Sequence, residues 1–196
     1  MAVGDRPDPR LPHLRGTMTV RIGRVVLAPA AATTIRDEAA RSRDGDETGG
    51  LLLGYIEPDG TAHVRYAGGP GRAAVRGPAF FLRDLPHAQR LAADAYARDG
   101  SMWIGEWHTH PGTAPAPSDR DLSTYLAFLD DPELGLDVFI AIILTSPTAA
   151  WDTLQAHTWT CYQSGAELVP LVLGPVECAP PADQLPPPIP MERIRP

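Results

Sequence analysis

The unbroken apolar run from Val138 to Leu144 constrains the fold of this chain most strongly. It is the longest such run in the sequence and is far short of the roughly 20 residues that a membrane-spanning helix needs. Its β-branched content and its length are typical of a strand that is buried within a sheet. The segment LDVFIAIILT (136–145) therefore predicts an interior strand of a folded domain.

Strand and helix patterns alternate through the rest of the chain. Apolar and β-branched segments predict strands over 17–28, 47–58, 61–68, 73–83, 101–110, 149–162 and 166–174. Asp59-Gly60 predicts a hairpin between the second and third of these. Helices are expected after Pro29, from the cap residue Asp84 to about Asp99, and from Ser118 to about Asp131. The expected fold class is α/β or α+β, with a mixed β-sheet flanked by about three helices.

Composition limits the organisation of the chain and its classes of partner. The 196 residues favour one domain over 17–174, with disordered tails at 1–16 and in the proline-rich segment 175–196. A net charge of −7 argues against a nucleic-acid surface. The first residues lack the apolar stretch of a signal peptide, so a cytoplasmic protein is expected. Cys161 and Cys178 lack the CxxC spacing of structural zinc sites, which predicts free thiols.

The segment GEWHTHPGTAPAPSDRD (105–121) carries the residues best suited to chemistry. Alternate residues of a strand share a face, so His108 and His110 would project together from the end of strand 101–110. Asp121, in the first turn of the next helix, could add a carboxylate oxygen to their two nitrogens. Three such ligands leave the fourth position of a tetrahedral zinc ion open to water, as in catalytic zinc sites.

A purely structural interpretation of the same residues also exists. Ser118-x-x-Asp121 before an apolar helical run is a capping-box pattern, and a His-x-His pair on a strand is often incidental. The co-occurrence of both patterns in one stretch favours a metal site. Ser118 can cap its helix and still donate its hydroxyl hydrogen, so the two interpretations are compatible.

Two motifs together resemble the JAMM metalloproteases, also called the MPN+ or JAB family. HTHPGTAPAPSDRD (108–121) meets the pattern H-x-H-P-x6-S-x-x-D, and ETGGLLLG (47–54) is similar to the upstream E-x-G-G-x-L-x-G motif. The resemblance covers most of 17–174 and is closest to compact bacterial members. It implies an MPN/JAB-type, cytidine-deaminase-like mixed sheet.

The resemblance also implies site residues and a reaction. His108, His110 and Asp121 would bind one zinc ion per chain, Glu47 would act as general acid/base, and Ser118 would support the oxyanion. The implied reaction is hydrolysis of the amide after the C-terminus of a ubiquitin-like or sulfur-carrier protein. Its extended tail would bind an exposed sheet edge, for which segment 73–83 is the candidate edge or flanking loop.

Several points stay open at this level. Glu106 shares the strand face of His108 and is expected to accept a hydrogen bond from a histidine or to face the substrate. A non-catalytic MPN scaffold and a RadC-like JAB protein linked to DNA repair are alternatives, although the acidic charge weighs against the second. The residues do not separate deconjugation from sulfur-carrier processing, and they do not fix the oligomeric state.

Overall fold

A computed structural model describes residues 20–42, 44–112, 114–146 and 154–176. Within these ranges it contains ten strands and three helices. The strands are β1 (Arg24–Leu27), β2 (Gly49–Ile56), β3 (Thr61–Ala67), β4 (Val75–Gly77), β5 (Phe80–Leu82), β6 (Met102–His110), β7 (Phe139–Thr145), β8 (Gln155–Tyr162), β9 (Gly165–Val169) and β10 (Leu171–Leu173). The helices are α1 (Pro29–Arg41), α2 (Leu85–Asp99) and α3 (Asp119–Asp130). The tails predicted at 1–16 and 175–196 lie almost wholly outside the described residues, as does 149–153 of the strand predicted at 149–162.

Eight strands form one mixed sheet in the order β10-β1-β3-β2-β6-β7-β8-β9. β1 runs parallel to both β10 and β3, β6 runs parallel to β7, and the other neighbours are antiparallel. The predicted fold class, a mixed sheet with three helices, is confirmed. None of the helices in the described ranges is long and apolar enough to cross a membrane.

One bent segment joins the two ends of this strand order. The sequence predicts a single strand over 166–174, but Pro170 divides it into β9, which pairs with β8, and β10, which pairs with β1. Proline has no backbone N–H to donate to a ladder, so a break falls here. Its carbonyl is still used, because the Val25 N–H donates to it at 2.9 Å. Because one short segment carries both β9 and β10, which lie at opposite ends of the strand order, the sheet curves and brings its first and last strands close together.

The two faces of the sheet bury different cores. Helix α1 packs on one face against a cluster that includes Val25, Leu52 and Ile142. Helices α2 and α3 cover the other face, in a cluster that includes Leu51 and Phe139. Trp107 is fully buried on the α1 side, as strand alternation predicts for the residue directly before His108. The alternation of β6 then turns the histidines toward α3.

The prediction of a further sheet strand over 73–83 is wrong. This segment folds back on itself as the β4–β5 hairpin, which forms a separate two-stranded sheet. Pro78, inside the predicted strand, lacks a backbone donor, and Gly77 and Pro78 begin the turn. A hydrogen bond connects the hairpin to the segment before β2: the Glu47 N–H donates to the Gly77 carbonyl at 2.9 Å. The hairpin therefore lies beside the segment that carries Glu47.

Candidate metal centre

The end of β6 places two histidine side chains together in the protein interior. His108 and His110 are 2% and 7% exposed, and their Nε2 atoms lie 3.0 Å apart. β2 runs alongside with Gly49 opposite His108. A Cβ at Gly49 would lie 2.4 Å from the Trp107 carbonyl oxygen, closer than atoms can approach. Gly49 is therefore required for β2 to pass this close to the histidines.

The first turn of α3 brings Asp121 to the same point. Ser118 caps the helix by accepting from the Asp121 N–H at 3.2 Å, and the Ser118 N–H donates to Asp121 Oδ2 at 2.7 Å. Asp121 Oδ2 lies 3.5 Å from His108 Nε2 and 3.5 Å from His110 Nε2. The capping box and the three-residue cluster are thus built from the same side chains. The end of β6 and the start of α3 therefore supply all three donors.

The three donor atoms have the spacing that a tetrahedral metal site requires. Two zinc bonds of about 2.0–2.1 Å at a tetrahedral angle place their donors about 3.3–3.4 Å apart. The observed separations of 3.0, 3.5 and 3.5 Å bracket that value. Among the described residues, His108, His110 and Asp121 are the group of histidine, cysteine and acidic side chains able to hold a metal ion. Two imidazoles and one carboxylate suit zinc.

Local contacts orient these donors. The Ala114 carbonyl can only accept, so His110 Nδ1, at 2.9 Å, carries the hydrogen and leaves Nε2 free as a ligand. Burial alone would lower the pKa of His110, but Asp121 and the Ala114 carbonyl raise it above its ordinary value. For Asp121, burial raises the pKa, and hydrogen bonds from both histidines outweigh this and hold it far below its usual range. The cluster is therefore a strongly coupled acid–base group.

Glu47 lies just before β2, close to this cluster. Its side chain is largely buried, and desolvation raises the pKa of its carboxyl group even though the charges of His108 and His110 lower it. The next residue, Thr48, fixes the backbone here. Its N–H donates to Thr109 Oγ1 at 2.9 Å, and its carbonyl accepts from the Thr109 N–H at 2.8 Å. A carboxyl group with a raised pKa beside a metal site suits proton transfer.

Ser118 uses its hydroxyl hydrogen within the capping box. Ser118 Oγ donates to Asp121 Oδ2 at 2.7 Å, the same oxygen that approaches the histidines. A role in supporting an oxyanion requires this hydrogen to turn away from Asp121. That role stays a prediction.

Glu106 forms an ion pair that sequence reasoning missed. Its Oε2 accepts from Arg83 Nη2, and each of the two side chains is 10% exposed. A carboxylate that is buried in the middle of a strand needs a cationic partner. The position of Glu106 in β6 therefore indicated that such a partner exists. Which arginine fills this place depends on the β4–β5 hairpin, since Arg83 directly follows β5.

Comparison with known proteins identifies the family of this chain. Residues 29–162 match the family described as prokaryotic homologs of the JAB domain. The chain belongs to this family. The resemblance to compact bacterial JAB proteins is thereby confirmed for this Prok-JAB protein.

Two curated relatives carry the name CD-NTase/cGAS isopeptidase. The protein from Enterobacter hormaechei subsp. hoffmannii (strain UCI 50) is 30% identical over 112 residues, which is 57% of this chain and 62% of that protein. The one from Escherichia coli (strain TW11681) is 29% identical over 82 residues, 41% of this chain and 52% of that protein. The matches thus span between half and two thirds of the relatives' length.

A solved structure shares the fold. The solution structure of protein DSY2949 from Desulfitobacterium hafniense superposes with a TM-score of 0.57 at 20% sequence identity. The match covers 78% of this chain and 94% of that one. This similarity supports the α+β architecture described above.

Proposed function

We propose that this Prok-JAB protein is a zinc-dependent isopeptidase that hydrolyses the amide after the C-terminus of a ubiquitin-like protein. The observation that carries the proposal is the convergence of His108 Nε2, His110 Nε2 and Asp121 Oδ2, with the largely buried Glu47 beside them. The two relatives named isopeptidase support the reaction class. A scaffold without catalysis would have no need of this arrangement.

The residues of the site divide the work of amide hydrolysis. His108, His110 and Asp121 would hold the zinc ion. When bound, the ion would act as a Lewis acid and would lower the pKa of a water molecule. The Glu47 carboxylate takes a proton from the attacking water and later delivers it to the nitrogen of the leaving amine. The Ser118 hydroxyl, once turned from Asp121, donates to the carbonyl oxygen as negative charge develops there.

The β4–β5 hairpin is the proposed contact for the substrate tail. Among the described residues, each of its strands has a ladder partner only in the other, so a further strand could pair on an outer side of the hairpin. The hairpin also touches the site, through Gly77 to Glu47 and through Arg83 to Glu106. An extended C-terminal tail could add as a further strand and so reach the metal.

The relatives' name guides the choice of substrate. It describes isopeptidases of CD-NTase/cGAS proteins, so conjugates between a ubiquitin-like protein and a CD-NTase are the first class to test. A sulfur-carrier protein with a short C-terminal extension is the second. The two classes share the tail and the amide, and they differ only in the group on the far side of the scissile bond.

Purified protein loaded with zinc and incubated with such conjugates tests the proposal. Glu47→Gln should keep one zinc per chain and lose about 10²-fold or more in rate, because its proton transfer is removed. His108→Ala should lose the metal as well as activity, whereas Glu57→Gln, at an exposed acid, should behave as wild type. Wild-type protein with stoichiometric zinc that cuts neither class would overturn the proposal.

A further inference from the structure

A small cavity of about 110 Å³ lies beside the proposed metal centre, between the β4–β5 hairpin, β6 and α3. Asp121 lines one end, so the cavity begins at a proposed metal ligand. Its other walls include Phe80, Phe128, Arg83, Glu106 and Arg120. Drug-sized ligands need roughly 300–1,000 Å³, so this space suits a single side chain. The mechanism proposed above gives it no role.

Arg83, which lines this cavity, carries an unpaired donor. Its side chain is nine-tenths buried, and its Nη2 is held by Glu106. Its Nη1 is also buried, yet no partner for it exists among the described residues. Leaving a buried charged donor unpaired is unfavourable, so an acceptor supplied by a ligand would be stabilised at this position.

Aromatic rings hold the Arg83 guanidinium in place. Its central carbon lies 5.7 Å from the ring centroid of Trp103 and 5.7 Å from that of Phe128. Arg120, at the cavity wall, is held in the same way, 5.3 Å from the ring centroid of Phe80. These ring contacts restrain both guanidinium groups, so ordering them around an acceptor would cost less free energy than ordering two free arginine side chains.

The charges of the lining favour an anionic group. Among the lining residues, Glu106 and Asp121 balance the charges of Arg83 and Arg120, so a zinc ion bound at Asp121 would give this region excess positive charge. A carboxylate accepts charge-assisted hydrogen bonds from guanidinium groups, and these are about twice as strong as neutral ones. Phe80 and Phe128 can contact the methylene groups behind such a carboxylate.

We propose that this cavity is a specificity pocket for an Asp or Glu side chain of the protein substrate, next to the scissile bond. The proposal rests on the proposed function, because the cavity adjoins the metal centre. Arg83 Nη1, which is buried, would turn into the cavity and donate to the carboxylate, with Arg120 at the wall. Glu106 acts as the residue that positions Arg83.

Peptide binding to the zinc-loaded Glu47→Gln protein tests the pocket without turnover. The probes are fluorescein-labelled octapeptides with a central Gly-Gly, in which each flanking position in turn is Asp, Asn, Ala or Lys. At one position, Asp should bind at least about tenfold tighter than Asn, the gain expected from a hydrogen bond between charged groups. Equal affinity for Asp and Asn at every position would overturn the proposal.

Variants identify the residue responsible. Arg83→Met alone leaves Glu106 buried without its partner and can unfold the protein, so Arg83→Met/Glu106→Gln is the informative variant. With its fold verified by circular dichroism, it should lose the preference for Asp. Arg72→Met, on the exposed loop before β4, should keep it. A preference that survives in the double variant would exclude Arg83 as its source.

Cleavage assays keep this inference separate from the proposed function. If wild-type enzyme cuts conjugates but shows no acidic preference, only the pocket is wrong. If the preference for Asp is found and no conjugate is cut, the isopeptidase proposal fails and the pocket stands as a peptide-binding site.

Discussion

Two residues outside the motif's fixed positions hold parts of the proposed catalytic site. The Ala114 carbonyl orients His110, and Thr109 fixes the backbone that follows Glu47. Thr109 is the variable residue between the two histidines, yet its hydroxyl is fully buried and hydrogen-bonded. Geometry at the site therefore depends on hydrogen bonds that a motif search does not examine.

Replacing Thr109 tests this dependence. Thr109→Val removes the acceptor for the buried Thr48 N–H, and we expect it to lower the free energy of unfolding by about 1–3 kcal/mol. Thr109→Ser keeps the hydroxyl and should recover most of that loss. Urea denaturation of the two variants measures the difference, and a valine variant as stable as the serine variant would contradict the role assigned to this bond.

Cys161 provides a second test at this scale. Burial, followed by the charges of Glu106 and Asp121, raises the pKa of its thiol to about 12. Only the thiolate is nucleophilic, so in a Cys178→Ser variant the protein should resist iodoacetamide near neutral pH. Mass spectrometry should show one alkylated cysteine only after urea is added. Rapid alkylation of the folded variant would show that this part of the core opens readily.

At the level of elements, local signals predict the helices well. Asp84 caps α2, which ends at Gly100 in a left-handed conformation, and Ser118 caps α3. Strands that depend on distant partners are predicted less well. Segments 73–83 and 166–174 both have strand-like composition, but whether they join the main sheet, and on which side, is decided by pairing between distant parts of the chain. Only the proline in each segment indicates a break.

The C-terminal end of α2 gives a prediction on pH. Burial raises the pKa of Asp99, but hydrogen bonds from Ser101 and Tyr66 and the charge of Arg65 together lower it below the ordinary 3.8. The stabilisation is therefore fully present above that value and is lost as the pH falls through the folded-state pKa. Wild-type protein should exceed Asp99→Asn in unfolding free energy by a constant amount at neutral and mildly acidic pH.

Urea denaturation at a series of pH values checks this. The difference between wild-type protein and Asp99→Asn should shrink once the pH falls below about 4, where the carboxylate becomes protonated. Asp94→Asn, on the same helix at an exposed position, serves as the control. A difference that stays constant down to low pH would show that the charge of Asp99 contributes nothing to the fold.

For the whole molecule, the proposed metal centre is more predictable from the sequence than its surroundings. His108, His110 and Asp121 lie within one short segment, so strand alternation and one helix cap bring them together. The approach of Glu47 depends on pairing between β2 and β6, and only the resemblance to a family indicated it. Arg83 could not be found, because its place follows from a hairpin that the sequence predicted as a strand of the sheet.

Metal binding should appear in the stability of the whole domain. Any ligand that binds only the folded state stabilises it, by about 2.7 kcal/mol at a concentration 100 times its dissociation constant. Zinc should therefore raise the melting temperature of the metal-free protein, and His87→Ala, away from the cluster, should respond in the same way. His108→Ala should not respond. A melting temperature that zinc leaves unchanged in wild-type protein would refute the centre.

The segment that bends at Pro170 has a consequence for synthesis of the chain on the ribosome. β1 is made early, but one of its neighbours in the sheet, β10, is among the last strands to emerge. β8 has an unpaired edge until β9 emerges, and β1 has one until β10 emerges. Such edges are the kind of surface that promotes association between nascent chains. We therefore expect the sheet to be completed only after residue 173 has left the exit tunnel, with the β6–β7 centre formed before it.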